Sequence, residues 1–354
     1  GMYNPVGVAA IGLGRWAYVM ADAYTKSEKL KLVTCYSRTE DKREKFGKRY
    51  NCAGDATMEA LLAREDVEMV IITVPNDKHA EVIEQCARSG KHIYVEKPIS
   101  VSLDHAQRID QVIKETGVKF LCGHSSRRLG ALRKMKEMID TKEIGEVSSI
   151  EAVFSNERGL ELKKGNWRGE PATAPGGPLT QLGVHQIDNL QFLLGPVARV
   201  FNFGKPMYTE VENITVNQTL LEFEDGKQAY LGTNWACPGV FSINVYGTKA
   251  NLFYQLDFSW WSNSDVTDEH STLIKREFAS MSDDPDNRIL RDVKVDFESV
   301  DHLRVEVEEV ADVIRNGGET EIGAEASLRN LAVVLAAVKS VHEKRPVEIA
   351  EIIG

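Results

Sequence analysis

Cysteine is scarce and scattered in this 354-residue chain: Cys35, Cys52, Cys86, Cys122 and Cys237, with no C-x-x-C pair. That pattern favours buried reduced thiols in a cytoplasmic protein over a disulfide framework or a zinc site. Long apolar runs are missing too. The longest, such as 69–74, are far too short to span a bilayer. No basic stretch or aromatic–basic stripe offsets the acidic balance, 53 Asp and Glu against 43 Lys and Arg for a net charge of −10. This argues against nucleic acid and anionic membranes as partners. No signal-type segment precedes the first apolar run, so a cytoplasmic location is expected. There is no internal repeat and no low-complexity segment, and the acidic stretch 282–286 reads as a loop.

What is present is an ordinary globular composition, 42% apolar and 27% charged, in a chain long enough for two domains. Up to residue 122, short apolar runs at 6–11, 30–36, 69–74, 93–95 and 118–122 read as buried parallel strands. Helical segments at 16–26, 41–50, 58–63, 79–89 and 103–115 separate them. Strand–helix alternation predicts right-handed crossovers and a doubly wound parallel sheet. From about 147 the pattern turns to consecutive strands at 147–154, 197–203, 214–223, 227–234 and 242–246, with a hairpin turn at 224–227. Helical patterns close the chain at 303–315 and 325–344. The expected fold is α/β, with a dinucleotide-binding domain over 2–122 and an α+β domain with a large, open, mostly antiparallel sheet over 123–354.

The first strand runs into Gly12-x-Gly14-x-x-Ala17, which opens a helix. Gly12 permits the tight turn, Gly14 lets backbone approach a pyrophosphate, and Ala17 lets helix and strand pack closely. Free N–H groups at the helix start would hold phosphates. The residue closing the second strand should select the cofactor. An acid there would grip the ribose 2′-hydroxyl of NAD, but the place is taken by Ser37 and then Arg38, with Lys42 a turn later. A serine removes the repelling anion and an arginine can pair with a 2′-phosphate. NADP is preferred over NAD.

Val95-Glu96-Lys97-Pro98 places a lysine at the end of a strand in the same sheet, where ligands collect in doubly wound folds. An ammonium there can orient a hydroxyl or share its proton; the plain alternative is a Glu96–Lys97 surface pair. After the break at Gly176-Gly177-Pro178, a helix is expected over 179–194. On it Gln181, His185 and Asp188 recur at i, i+4 and i+7, apart from the apolar stripe of Val184, Ile187, Leu190 and Leu194. His185 could accept a hydroxyl proton, with Gln181 or Asp188 fixing its orientation. The plain alternative is a solvated polar face. Two candidate ligands on one helix do not make a metal site, and none is expected.

The ordered set of motifs resembles the glucose-fructose oxidoreductase/inositol dehydrogenase family (Gfo/Idh/MocA) over nearly the whole chain. It comprises the glycine turn, Thr73-Val74-Pro75-Asn76 with His79, Glu96-Lys97-Pro98, Trp167-Arg168, Gly176-Gly177, the run from Gly183 to Asp188, and Tyr246-Gly247-Thr248-Lys249. The resemblance implies a Rossmann domain followed by a domain whose open sheet forms a homodimer or homotetramer interface. It implies transfer of hydride between NAD or NADP and a sugar, inositol or related polyol. Lys97 and His185 would be catalytic. Gly12, Gly14, Arg15, Trp16, Ser37, Arg38, Pro75, Asn76, His79, Glu96 and Lys97 would line the cofactor. Trp167, Arg168, Gln181 and Asp188 would frame the substrate. Many relatives carry aspartate where this chain has Gln181, which cannot stabilise an imidazolium by charge. Rival readings are a cofactor-binding regulator without turnover and a glycoside hydrolase that uses bound NAD transiently.

Overall fold

The computed structural model describes residues 2–354. The chain begins with β1 (Val6–Ile11), α1 (Arg15–Tyr24), β2 (Leu30–Tyr36), α2 (Glu40–Tyr50), β3 (Ala53–Gly54), α3 (Met58–Leu62), β4 (Met69–Ile72), α4 (His79–Arg88), β5 (His92–Glu96), α5 (Leu103–Thr116) and β6 (Phe120–Gly123). All six strands are parallel, in the order β3-β2-β1-β4-β5-β6. Every residue of β1, β4 and β6 is buried, which is why these segments read as unbroken apolar runs. The sequence order reverses beside β1, placing the β1–α1 turn at the switch point of a Rossmann sheet.

Next come α6 (Gly130–Asp140), β7 (Val147–Ser155), the single turn α7 (Arg158–Glu161), α8 (Val184–Leu194), β8 (Val197–Lys205), β9 (Val216–Phe223), β10 (Gln228–Asn234), β11 (Val240–Gly247), β12 (Ala250–Leu256), β13 (Ser271–Ser280) and β14 (Ile289–Lys294). The chain closes with α9 (His302–Asn316), α10 (Ala324–Glu343), β15 (Val347–Glu348) and α11 (Ala350–Ile353). The second sheet has nine strands, in the order β14-β13-β12-β11-β7-β10-β9-β8-β15. It is antiparallel except where β10 runs parallel to β7. The hairpin turn expected at 224–227 joins β9 to β10.

Contacts gather the chain into two compact units, one of 1–125, 262–265 and 301–331, the other of 126–261, 266–300 and 332–354. A single cut at 122 does not describe this division. The chain returns because α9 is amphipathic: Leu303, Val307, Val310 and Ala311 share one core with Ala17, Met20, Ala21 and Tyr24 of α1 and Tyr94 of β5. The leucine, valine and methionine side chains among them contribute about 1.5–3 kcal/mol each. The sequence pattern also leaves α6 and the strands β12 to β14 unmarked. All six residues of β14 are exposed, so no alternation reveals them. The start of α6 has no cap of its own. Asp268, far along the chain, accepts from the Gly130 N–H at 2.9 Å and from the Val300 N–H at 3.0 Å. Among the described residues, no helix is long and apolar enough to cross a membrane.

Candidate active site

In the first unit, the turn after β1 holds Gly12 at φ 91°, where a Cβ would lie 2.9 Å from the Thr73 carbonyl. Only glycine lets this turn lie so close to the end of β4. The Thr73 hydroxyl closes the contact by donating to the Gly12 carbonyl at 3.0 Å. Gly14 caps α1 without a side-chain acceptor, and no acid sits in the first helical turn. A Cβ at Gly14 would meet no atom within 4 Å. Uncapped N–H groups facing open space, at the positive end of a helix dipole, fit a pyrophosphate. Trp16 is half-buried against the core of this unit, and exposed Arg15 donates to the Ser262 hydroxyl at 3.1 Å. Ser262 reaches this turn from 247 positions away, and nothing in its local sequence signals it.

Past the end of β2, the Ser37 carbonyl accepts from the Arg43 guanidinium at 2.9 Å. Arg38 is exposed and makes no ion pair among the described residues. Pro75 is exposed and half-buried Asn76 opens the short turn Asn76–Lys78 after β4. His79 differs from a surface cofactor contact, being only 1% exposed. Its Nδ1 lies 3.2 Å from the Ile99 carbonyl and its Nε2 lies 3.0 Å from the Val74 carbonyl. Burial lowers its pKa, so the ring carries a single N–H, which can donate to only one of these two carbonyls, and the ring packs between the segment after β4 and the segment after β5. Those segments carry Asn76 and Lys97.

Glu96 ends β5 and Lys97 is the next residue, joined to Pro98 by a cis peptide bond. Both side chains are half-buried. Burial pushes the Glu96 carboxyl up from the ordinary carboxylate range, and the Trp16 side chain, the Lys97 charge and the Tyr94 hydroxyl pull it back. The pair is therefore partly withdrawn from solvent, not a solvated turn.

In the second unit, Gly176 and Gly177 take φ values of 70° and 56°. A Cβ on Gly177 would lie 2.0 Å from the Ile214 carbonyl, so the loop enters only with glycine there. The segment after this loop is not one regular helix. Leu179–Gly183 forms a π-helical turn before α8 begins. Half-buried Gln181 sits on that wider turn and His185 on α8, so the i, i+4 stacking of an α-helix does not relate them. Nor is the polar stripe solvated. His185 is 5% exposed, with Asp188, Gln186 and Asn189 fully buried.

Asp188, Gln186 and Asn189 each help to pin α8. Both Asp188 carboxylate oxygens accept from Arg127, at 2.8 Å from Nε and 2.7 Å from Nη2. The same guanidinium lies 5.0 Å above the Phe192 ring. The Ser126 hydroxyl donates to Asn189 at 2.8 Å, Asn189 to Gln186 at 3.1 Å, and Gln186 to the Val153 and Ser242 carbonyls at 3.0 and 3.2 Å. This amide chain fixes α8 against β7 and β11. Asp188 thus stands as a support of the helix, not on a surface that a substrate would touch. Substituting Asp188→Asn should destabilise the protein by about 3 kcal/mol in urea unfolding, because a buried ion pair loses one of its charges.

His185 itself is ringed by Phe154 at 5.7 Å, Phe258 at 5.9 Å and Trp261 at 5.7 Å between centroids. Phe258 stacks on Trp261 at 4.7 Å and near-parallel to Phe241 at 5.8 Å. No sequence signal announces this aromatic box, since its members come from separate strands and turns. Trp167 is 42% exposed in a turn capped by Asn166, with the Arg168 guanidinium 4.5 Å above its ring. An exposed indole bearing a cation is available to a ligand.

A parallel sheet in Rossmann order, with an uncapped helix start at its switch point, defines a dinucleotide-binding fold. Residues 6–124 match the model of the oxidoreductase family's NAD-binding Rossmann fold, and residues 132–253 match the C-terminal domain of Gfo/Idh/MocA proteins. The chain belongs to the Gfo/Idh/MocA oxidoreductase family. It is 30% identical to Oxidoreductase P35 of Formosa agariphila over 64% of this chain and 72% of that one. It is 24% identical to a scyllo-inositol 2-dehydrogenase (NAD(+)) of Bacillus subtilis, over 98% of this chain and 97% of the other. A crystal structure from Desulfitobacterium hafniense, solved under the provisional name NADPH-dependent oxidoreductase, is 98% identical. It covers the whole of both chains with a TM-score of 0.97.

Proposed function

We propose that this NAD(P)-binding oxidoreductase acts on a CH–OH group of a sugar, inositol or related polyol and prefers NADP. The observation that carries the reading is the Glu96–Lys97 pair at the carboxyl end of β5, half-buried and in the same sheet as the uncapped glycine turn. The nicotinamide supplies the two-electron chemistry when bound. Gly12, Gly14, Arg15 and Trp16 hold the pyrophosphate end, Ser37 and Arg38 the adenosine ribose, and Pro75, Asn76 and Glu96 the other end. Lys97 holds the substrate oxygen, and His185 takes the hydroxyl proton in the oxidative direction. Trp167, Arg168 and Gln181 frame the substrate, while Asp188 and His79 hold other groups in place. The kinship with an inositol dehydrogenase supports the substrate class.

For the cofactor, Ser37 brings no anion and Arg38 keeps its guanidinium unengaged among the described residues. The NADPH-linked name of the 98% identical protein supports the same choice. Parallel fluorescence titrations should show NADP binding more tightly than NAD. Ser37→Asp should weaken NADP by roughly tenfold, by setting a carboxylate against the 2′-phosphate. Tighter NAD binding by the unsubstituted protein would overturn the cofactor choice and leave the dehydrogenase reading intact. We further propose a cytoplasmic homodimer or homotetramer. Its support is the nine-stranded sheet, where Phe203 is 70% and Leu220 is 59% exposed.

A further inference from the structure

Glu96 does not face the interior alone. Tyr94, two residues earlier on β5 and fully buried, donates its hydroxyl to Glu96 Oε1 at 3.0 Å. The two side chains share one face of the strand, so the phenol runs along the sheet toward the carboxylate. The neighbouring strand makes room for them. Glu96 pairs in register with Gly123 of β6, and a Cβ there would lie 2.4 Å from the Tyr94 hydroxyl and 2.9 Å from Glu96 Oε1. A Cβ at 123 would force one of these two side chains to shift. A buried tyrosine whose one polar side-chain group is aimed at a carboxylate, over a strand emptied to admit it, is a built contact.

We propose that Tyr94 is a positioning residue that keeps Glu96 ionised and aimed, so that Lys97 retains its counter-charge; the inference rests on the role assigned above to Lys97. Burial favours the neutral carboxylic acid, and a hydrogen bond donated to the carboxylate favours the charged form. The charged and titratable groups facing this pair are Lys97 just past the end of the strand, Glu306 from α9 and Cys122 from β6. Burial above all, and then Glu96, Glu306 and Cys122, favour the neutral phenol, which keeps Tyr94 a donor throughout the working pH range. Tyr94 touches neither substrate nor cofactor in this scheme. It acts only through Glu96.

The experiment compares the unsubstituted protein, Tyr94→Phe, Glu96→Gln and the double variant. Without the donor, Glu96 needs a higher pH to ionise. Turnover of Tyr94→Phe should fall roughly tenfold at pH 6 and recover as pH rises, with the acid limb of the profile displaced upward. A second readout needs no activity. A carboxyl whose folded-state pKa is raised loses stability as pH climbs from its unfolded value to its folded value. Melting temperatures of the apoprotein from pH 5 to 9 should therefore show a Tyr94→Phe deficit that widens with pH. The same substitution in the Glu96→Gln background should cost a pH-independent amount. Absence of turnover on every polyol, with the widening deficit present, would remove the role of Lys97 and keep the Tyr94–Glu96 coupling. A deficit that does not change with pH would overturn the coupling itself.

Discussion

Replacing Lys97 by methionine is expected to lower turnover by roughly 10²–10⁴-fold while NADP affinity changes by about threefold or less. The reason lies in where the side chain is held. Lys97 leaves the carboxyl end of a parallel strand, the end at which ligands collect in open α/β sheets. The segment beyond it packs, at Ile99, against the buried His79 ring, which also lies beside the segment bearing Asn76, so the ammonium sits on a packed backbone. Methionine keeps most of the length and loses the charge and all three donors. On the role proposed for Lys97, substrate would still bind, with its oxygen no longer held. The loss also reaches Glu96. The Lys97 charge lowers that buried carboxyl, so its removal raises the folded-state pKa further. Stability conferred in the protonated form is lost as pH rises through a longer window, so the variant should melt progressively below the unsubstituted protein on going from pH 5 to pH 8. Stopped turnover with this pH-dependent melt marks an ammonium that works in both chemistry and electrostatics. Unchanged turnover would end its catalytic role.

Much of the first unit is legible in the sequence because its signals are local. Unbroken apolar runs arise from strands buried on both sides, and the glycine turn from the steric demand at Gly12. The rest of the unit is hidden because it depends on contacts across the chain. The apolar stripe of α9 announces a helix but not that it packs on α1, and Ser262 says nothing of Arg15. In the second unit the polar residues on the helix carrying His185 are legible, but their setting is not. Period alone suggests a solvated face, whereas Asp188 is paired with Arg127 and Gln186 with strand carbonyls. A buried polar helix is stable only if every group finds a partner, and those partners lie 33 to 61 positions away. The π-helical turn before His185 also has no period that a regular pattern would show.

His185 allows chemistry and packing to be separated by two substitutions. His185→Ala should lower turnover by roughly 10²–10⁴-fold, since the proposed proton acceptor is gone. It should also cost about 2 kcal/mol of stability, because it opens a void among Phe154, Phe258 and Trp261. His185→Phe refills that box with a ring that can keep edge-to-face contacts at similar centroid distances. It should recover most of the stability and none of the turnover. Were the box merely structural, activity would follow stability, and the phenylalanine variant would be nearly as active as the unsubstituted protein. Free imidazole adds a further discriminant. It should restore part of the turnover of His185→Ala, whose void admits a small base, and none of that of His185→Phe, whose void is filled. The amide chain from Ser126 through Asn189 and Gln186 keeps α8 in place in both variants, so neither loss can be assigned to a displaced helix. A phenylalanine variant that turns over polyols would show that the proton leaves by another group, and the half-buried Gln181 on the preceding π-turn cannot be that base, because a neutral amide does not accept a proton in this range.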